Sequence, residues 1–450
     1  MKTTSDIVAI ARKGLRQDDA ESALQAISKA VNEYQNHPQC DGILCDLPKL
    51  DALCQEIGTH LLKKRPVVPV PPPQPIDLYI ASELYAIGGH TALIGDYVQN
   101  SPQREARLFL TNHRNRQATL KDPIRHRTGL PEAAVEIATD PSWVGKFYTL
   151  NEYLLILNPS RVFILTHPED PLVICQPPPA SQAEWYFIHH ADHSPALGLH
   201  LPNVRHVDVT PRAHQCCRQI LGLGGNIYLP LQCKESSPPP TPRPPTSLLT
   251  IASCGSTGKF NLEGPAALHE IITHLLRHTA HRYIHFGPLP EAYLQSWRGQ
   301  LISKSIDPFR FLHIPSVESL WEALQSYQID LYLNSFPHPG ARASIEAMGA
   351  GIPLLTMDQP DQSHSLLYPT AEKWRTPGDL LRLIEDATPT WLKDQSHAAR
   401  QHFQTHHSTD IIRPLFAHSP IEGSSPTKMN ASDLNRQRCN IQSLQRLLSN

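Results

Sequence analysis

The chain has 450 residues, more than one hydrophobic core ordinarily serves, so two or three domains are expected. Its 40 lysines and arginines nearly balance 42 aspartates and glutamates, which disfavours general nucleic-acid binding. No apolar run reaches the roughly 18 residues of a membrane span, and the N-terminus lacks the apolar core of a secretory signal. Nine scattered cysteines without a CxxC pair are typical of the reducing cytoplasm, where we expect the protein to act.

Residues 1–65 are predicted to form a small helical N-terminal segment, because apolar side chains recur there at helical spacing. The stretch RPVVPVPPPQP (65–75) predicts a stiff, extended linker.

Residues 76–235 alternate apolar runs with helical patterns, which predicts a parallel, doubly wound sheet. The predicted strands are 76–80, Ala106–Leu110, Leu154–Leu157, Val162–Thr166, Leu172–Cys175, Trp185–His189 and Val204–Val209. A loop containing Gly88 and Gly89 leads from the first of them into a helix running from about His90 to Val98.

A second proline-rich stretch, 235–247, precedes another α/β alternation over 247–416. Strands are predicted at Leu248–Ala252, Tyr283–Phe286 and Phe309–His313, and helices at Leu268–Arg277, Pro290–Gln300, Val317–Ser326 and within 378–405. Residues 418–450 are predicted to be a flexible tail. The expected fold is therefore α/β, with two Rossmann-like domains facing a cleft, preceded by the helical segment.

The segment DLYLNSFPHPGARASIEAMGAGIPLLTM (330–357) predicts a strand, a turn rich in proline and glycine, a helix at Ala343–Gly349 and a second strand. Such a turn presents free backbone N–H groups and the positive end of a helix dipole, which suit a phosphate. Glu346, one turn into the helix, could reach the hydroxyls of a ribose. An ordinary strand–loop–helix unit explains the same pattern.

Three segments together resemble a known family. They are IASCGSTGKFN (251–261), HFGPLP (285–290) with RFLHIPSVESLWEAL (310–324), and the segment 330–357. The chain resembles glycosyltransferases of the two-Rossmann GT-B fold, in particular the O-linked N-acetylglucosamine transferases and the bacterial adhesin glucosyltransferases. The resemblance covers residues 76–405 in architecture and is specific in its motifs over 251–357.

The resemblance implies a donor site in the second half. Lys259 takes the position of a lysine that contacts the donor diphosphate, in a loop that includes Ser256. Residues matching His313 to Val317 contact the nucleobase of the donor through backbone groups. Glu346 matches the acid that binds the ribose. The turn that wraps the diphosphate matches Gly340, Ala341, Arg342, Ala343 and Ser344. A solvated lysine and plain packing are the competing interpretations.

Two departures from the family pattern bear on mechanism. His338 stands eight residues before Glu346, where many retaining enzymes carry a second glutamate, so the resemblance favours the inverting group. The family has small hydroxyl or imidazole side chains where Ala341 to Ala343 stand here. Arg342 either replaces lost contacts by binding a phosphate or points to solvent.

Two segments of the first half are candidates for the acceptor side. AIGGHT (86–91) resembles the glycine-rich acceptor loop, in which Gly88 and Gly89 would allow close approach of the backbone and His90 would face the cleft. The segment 187–214 contains six histidines. Its His193 or Asp192 could act as a base, since imidazole titrates near neutral pH. A plain turn and a histidine-rich surface edge are the alternatives.

A metal site is an alternative interpretation of the same segment. His189, His190, Asp192 and His193 offer ligands, but their spacing matches no familiar zinc pattern, so no metal is assigned. The expected function is transfer of a sugar from a nucleotide sugar, by resemblance a UDP-sugar, to a hydroxyl or amide of a protein or glycan, with inversion. We expect no cofactor besides this co-substrate. A sugar-nucleotide epimerase and a non-catalytic scaffold of the same fold remain alternatives.

Overall fold

The computed structural model describes residues 1–63, 72–86, 88–117, 119–176, 183–236, 248–358, 366–418 and 420–449. The chain forms two compact units: unit 1 comprises Met1–Pro230 and Arg413–Asn450, and unit 2 comprises Leu231–Ile412. Most of the two proline-rich stretches, 64–71 and 237–247, lies outside the described residues. None of the helices in the described ranges combines the length and apolar character needed to cross a bilayer.

Unit 1 begins with the helices that the sequence predicts. They are α1 (Thr4–Arg16), α2 (Ala20–Gln35) and α3 (Pro48–Leu62), with the short strand β1 (Cys45–Asp46) before the third. Thr3 and Asp6 form a capping box at the start of α1. Apolar residues at helical spacing, including Leu24 and Ile57, are fully buried, so these helices pack through their apolar faces.

A seven-stranded parallel sheet forms the centre of unit 1. Its elements in chain order are β2 (Gln74–Ala81), α4 (Gly89–Asn100), β3 (Glu105–Leu110), α5 (Asp122–Thr128), β4 (Val135–Ile137), α6 (Trp143–Leu157), β5 (Pro159–Leu165), β6 (Glu184–His189), β7 (Pro195–Ala196), β8 (Arg205–Asp208), α7 (Pro211–Gln219) and β9 (Ile227–Tyr228). The strand order is β4-β3-β2-β5-β6-β8-β9, and β7 pairs with β1 instead. The direction of strand addition therefore reverses between β2 and β5, which makes this pair a topological switch point.

Two strand predictions in this half are wrong. Leu154–Leu157 is the last turn of α6, which ends where Asn158 adopts a left-handed conformation (φ 36°). Leu172–Cys175 is a buried turn, in which the Asp170 carboxylate accepts the Leu172 N–H at 3.0 Å. Both are short apolar runs, and such runs do not distinguish a strand from another buried segment.

Unit 2 contains a six-stranded parallel sheet. Its elements are β10 (Thr250–Cys254), α8 (Leu268–His278), β11 (Arg282–Phe286), α9 (Glu291–Ser303), β12 (Phe311–Ile314), α10 (Leu320–Ser326), β13 (Leu331–Leu333), α11 (Arg342–Gly349), β14 (Leu354–Met357), β15 (Glu372–Trp374), α12 (Pro377–Glu385) and α13 (Pro389–His406). The order β12-β11-β10-β13-β14-β15 is that of the doubly wound dinucleotide-binding fold, with its switch point between β10 and β13. The predicted α/β fold with parallel sheets is confirmed.

The core of unit 2 has one apolar cluster on each face of the sheet. Ile251 and Leu331 belong to one cluster, and their chain neighbours Ala252 and Tyr332 belong to the other. This alternation is the two-residue period of a strand with both faces covered.

The C-terminal segment differs from the flexible tail expected at 418–450. After α14 (Thr409–Phe416), the chain forms a 19-residue helix, α15 (Ala431–Ser449), within unit 1. Ile441 and Leu444 are buried, and Gln445 donates to the Asp46 carboxylate at 2.7 Å. The segment is polar on average, yet Ile441, Leu444 and Leu448 are buried at helical spacing, and packing of the face that they form orders it.

Candidate functional site

The switch point of unit 2 brings together two segments that the sequence singled out. One loop follows β10 and contains Lys259, and the other follows β13 and leads into α11. Phe260 and Pro337 form an antiparallel bridge between the two loops, and the His338 N–H donates to the Lys259 carbonyl at 3.4 Å. The two loops therefore lie side by side at the carboxyl end of the sheet, where ligands bind in folds of this type.

Phe260 anchors the Lys259 loop. Its ring is 4% exposed and makes edge contacts with Phe336 and His285, at centroid distances of 5.4 and 5.1 Å. Ser256 precedes a short 3₁₀ turn, Thr257–Lys259, that is itself on the surface. Burial of Phe260 thus fixes the backbone of the loop while the Lys259 side chain remains partly exposed.

Buried polar groups hold the second loop in shape. The Asn334 carboxamide oxygen accepts the N–H groups of Ser335 and Gly340, at 2.9 and 3.0 Å. The Ser335 hydroxyl donates to the His338 carbonyl at 2.8 Å, and the Ser344 hydroxyl donates to the Gly340 carbonyl at 2.7 Å. Asn334 and Ser335 are at most 1% exposed, so buried hydrogen bonds within the protein support the shape of the turn.

Helix α11 begins at this turn with alanine in the N-cap position. In the described structure, Ala341 supplies no side-chain cap to the first-turn N–H groups. These N–H groups have no carbonyl partner within the helix, and they point along the positive end of its dipole. An N-terminus left uncapped beside a lysine loop is a suitable site for a phosphate.

Arg342 neither points to solvent nor stands free to bind a phosphate, the two alternatives that the sequence left open. Its Nε lies 3.1 Å from the Glu346 carboxylate one turn later, and its guanidinium donates to the Gln232 carbonyl at 3.3 Å. Both side chains are mostly buried, at 19% and 12% exposure. The ion pair fixes the rotamer of the predicted ribose-binding acid.

The predicted base-reading segment lies along the same sheet edge. The His313 ring lies on β12, with Nε2 2.8 Å from the Gly287 carbonyl, and stacks on His285 at 6.0 Å. Burial, helped by the nearby His313, lowers the pKa of His285 to about 3. Val317 is partly buried against the apolar cluster of this face. These contacts hold residues 313–317 in place at the sheet edge.

In unit 1 the predicted acceptor loop lies at the other switch point. His90, in the first turn of α4, has Nε2 2.6 Å from the Leu165 carbonyl at the end of β5. Gly88 adopts φ 135°, a conformation that favours glycine, and Gly89 is exposed; residue 87 of the AIGGHT motif lies outside the described residues. The other ring nitrogen of His90, Nδ1, is buried and has no hydrogen-bond partner in the described structure.

Further histidines surround His90. Its ring stacks on His190 at 4.6 Å and lies 5.6 Å from His167. Burial, followed by the proximity of these two imidazoles, lowers the pKa of His90 well below the usual range. His90 is therefore a neutral imidazole near pH 7, with an N–H on Nε2 and a lone pair on Nδ1.

The sequence did not single out the carboxylate beside this group. Glu169 forms an ion pair with Arg114 and lies 3.4 Å from His113 and 3.9 Å from His167. Burial acts to raise the pKa of Glu169, but the hydrogen bond with His113 and the proximity of His167, His113 and Arg114 lower it to about 2. These residues follow β3 and β5, so only the strand order reveals that they are neighbours.

The other two candidate bases, Asp192 and His193, differ in their surroundings. Asp192 is buried, its carboxylate accepts the hydroxyl of Thr210, and its carbonyl accepts from Arg212 at 3.1 Å. The His193 side chain is 58% exposed and lies 3.9 Å from Asp192. Asp192 is thus engaged at the start of α7, and His190, rather than His193, is the residue of this loop that stacks on His90.

Three residues of the histidine-rich segment form a cluster with Cys217, which the sequence alone did not reveal. Ligand atoms of His189, His206, Asp208 and Cys217, all buried, lie within 4.8 Å of one another. One feature of the sequence indicates such a cluster. His206 and Asp208 are two residues apart on a strand, so both side chains lie on the same face.

Comparisons with known proteins identify the fold. No protein-family model and no curated protein matches the chain. Among solved structures, HepE of Anabaena in complex with UDP and glucose is 13% identical with a TM-score of 0.53, over 77% of this chain and 99% of that one. A glycosyltransferase from Rickettsia africae is 9% identical with a TM-score of 0.54, over 75% and 96%. A putative UDP-N-acetylglucosamine 2-epimerase from Listeria monocytogenes is 11% identical with a TM-score of 0.50, over 78% and 100%.

The chain therefore has the GT-B fold, and similar solved structures include glycosyltransferases of that fold. At these identities the similarity shows the fold alone.

Proposed function

We propose that this protein is a glycosyltransferase that uses a nucleotide sugar, with UDP as the nucleotide, and inverts the anomeric centre. The observation that carries the proposal is the pairing of the Lys259 loop with the uncapped N-terminus of α11 at the switch point of unit 2. A diphosphate requires a cation and oriented N–H donors, and this edge of the sheet supplies both.

The donor side follows from these groups. The Lys259 ammonium and the first-turn N–H groups of α11 would offset the charge that develops on the leaving diphosphate. Glu346, held in position by Arg342 at 3.1 Å, would accept hydroxyls of the ribose. Backbone groups of 313–317 would contact the base. The amino acids themselves supply the positive charge in this arrangement, so the proposal requires no metal at the diphosphate.

The acceptor side rests on His90. Because its Nε2 faces the Leu165 carbonyl, the proton resides there and Nδ1 is the basic nitrogen. As the acceptor oxygen attacks the anomeric carbon, its proton passes to Nδ1, the bond from that carbon to the diphosphate breaks, and UDP leaves. The acceptor is a hydroxyl or amide of a protein or glycan. His193 is a second candidate base, and Asp192 a weaker one because Thr210 already engages its carboxylate.

The test of the donor site is calorimetric titration of the full chain with UDP, followed by transfer assays over a panel of nucleotide sugars. We expect Lys259→Ala to weaken UDP binding or turnover at least tenfold, about 1.4 kcal/mol. Lys373→Ala, which removes an exposed lysine of β15, is the matched control and should change neither. Equal behaviour of the two variants would remove Lys259 from the site.

A sugar-nucleotide epimerase is the second candidate function, because one similar solved structure is that of a putative UDP-N-acetylglucosamine 2-epimerase. An epimerase would isomerise the nucleotide sugar with no acceptor present, and product analysis of the same panel detects this. A scaffold protein of this fold would bind no UDP at all.

A further inference from the structure

Unit 1 holds a compact set of four metal-ligating side chains that the proposed transfer reaction does not use. His189 ends β6, His206 and Asp208 lie on β8, and Cys217 lies on α7. In the register of the two parallel strands, His189 is directly opposite Asp208. The four side chains come from three regular elements of one unit, so the fold itself holds them together.

The ligand atoms of the set lie slightly closer together than, or at, the spacing of a tetrahedral site. His189 Nδ1 lies 3.1 Å from Asp208 Oδ1, His206 Nε2 lies 2.9 Å from the same oxygen, and Cys217 Sγ lies 3.6 Å from His189 Nδ1. Ligands bound to zinc at 2.0–2.3 Å in a tetrahedron are about 3.3–3.8 Å apart. An ion at the centre therefore requires only a small outward movement of the ligand atoms.

The charges also favour a cation. Within 4.0 Å of the buried Asp208 carboxylate, the ion-pair partners in the described structure are His189, His206 and His214, none of which carries a permanent charge. A buried carboxylate requires a compensating positive group. One carboxylate and one thiolate balance the two charges of a divalent ion, with two neutral imidazoles completing the set.

A second layer of contacts orients the carboxylate. The Asn226 side-chain N–H₂ donates to Asp208 Oδ2 at 2.6 Å and to the His214 carbonyl at 2.9 Å. Oδ2 is thereby occupied and Oδ1 faces the two histidines. Outer partners of this kind fix the orientation of metal ligands.

We propose that His189, His206, Asp208 and Cys217 bind one zinc ion as a closed structural site. Two nitrogens, one oxygen and one sulfur form a ligand set that zinc accepts, and four protein ligands leave no position for a substrate. The site would tie β6, β8 and α7 together. His190, which stacks on His90, is the next residue after His189, so the ion would also steady the strand end that carries the acceptor-side histidine.

The adjacent cysteines provide a matched test. Cys216 and Cys217 are both fully buried on α7, but only Cys217 belongs to the set. The full chain, purified without chelator, should contain about one zinc per chain by elemental analysis. Cys216→Ser should retain the metal and Cys217→Ser should lose it. Loss from both variants alike, or retention by both, would overturn the assignment.

A measurement on the unaltered protein covers the case in which Cys217→Ser does not fold. The chain is stripped with a chelator and titrated with Co²⁺. We expect a thiolate-to-cobalt charge-transfer band and visible bands of tetrahedral intensity, saturating at one equivalent and abolished by Zn²⁺. A featureless spectrum, or octahedral bands of low intensity, would show that the four residues form only a hydrogen-bonded network. Neither result depends on UDP binding, so this inference and the proposed transferase activity fail separately.

Discussion

His90 is the residue on which the proposed chemistry depends most. We expect His90→Gln to lower the transfer rate about 100-fold, the scale of general base catalysis, while leaving UDP affinity unchanged. Initial rates and calorimetry on the same preparation separate the two effects. His126→Gln, which alters an exposed histidine of α5, serves as the control. If His90→Gln lost UDP affinity and the control did not, His90 would act in positioning the donor and not as the base.

The pH dependence of the same residue adds a second readout. Burial lowers the pKa of His90, so its neutral, basic form persists below the ordinary histidine range near pH 6.5. We expect the transfer rate to hold on the acid side until well below that value. A rate that already falls at about pH 6.5 would contradict the assignment of His90 as the base.

At the scale of elements, helix α11 is positioned by a glycine. A Cβ built on Gly349 would lie 2.0 Å from the ring of the buried Trp321 on α10, whereas one built on Gly299 of α9 meets nothing within 4 Å. We expect Gly349→Ala to destabilise the protein by about 1–3 kcal/mol through overpacking. Gly299→Ala should be neutral or stabilising by up to about 1 kcal/mol, because alanine favours a helix. Urea unfolding of both variants checks this pair.

Helix α15 offers a comparison within one element. Ile441 is fully buried, whereas Leu447 is 40% exposed. We expect Ile441→Ala to cost about 3 kcal/mol in the free energy of unfolding, and Leu447→Ala to change it by less than about 0.5 kcal/mol. Chemical denaturation measures both. Equal, small effects would mean that α15 contributes little to unit 1.

Some elements of the fold can be predicted from the sequence alone, and others cannot. Strands such as β2 and β11 were predicted because continuous apolar runs are typical of a parallel sheet buried on both faces. Leu154–Leu157 has the same composition but ends a helix, since a short apolar run carries no period. The donor segments were recognisable because each is continuous in sequence. The neighbours of His90 were not, because Glu169 and His190 come near it only through the strand order.

At the scale of the whole molecule, buried neutral histidines should make the protein sensitive to acid. Burial lowers the pKa of His285 to about 3 and that of His407 to about 4. The unfolded chain binds these protons near pH 6.5, so the stabilisation is complete above that pH and is lost as the pH falls toward about 4. The expected loss is about 2 kcal/mol per histidine at pH of about 5.

Thermal unfolding across this pH range, with two variants, tests the expectation. His285→Asn should unfold with a weaker pH dependence than the wild-type chain, and His278→Asn, on the surface of α8, should not. Burial raises the pKa of Asp51 to about 6, so this carboxyl makes the folded state more stable as the pH falls, opposite to the histidines. The difference between the variants, rather than the total slope, is therefore decisive, and identical slopes would contradict the assignment.

Unit 1 is assembled from two stretches of chain, Met1–Pro230 and Arg413–Asn450, and unit 2 is the insertion between them. During synthesis on the ribosome, residues 231–412 emerge as one continuous stretch and can fold as soon as they are released. Unit 1 must wait for α15, whose Ile441 and Leu444 complete its packing. We therefore expect unit 2 to be able to complete its fold before unit 1, although the chain of unit 1 begins first.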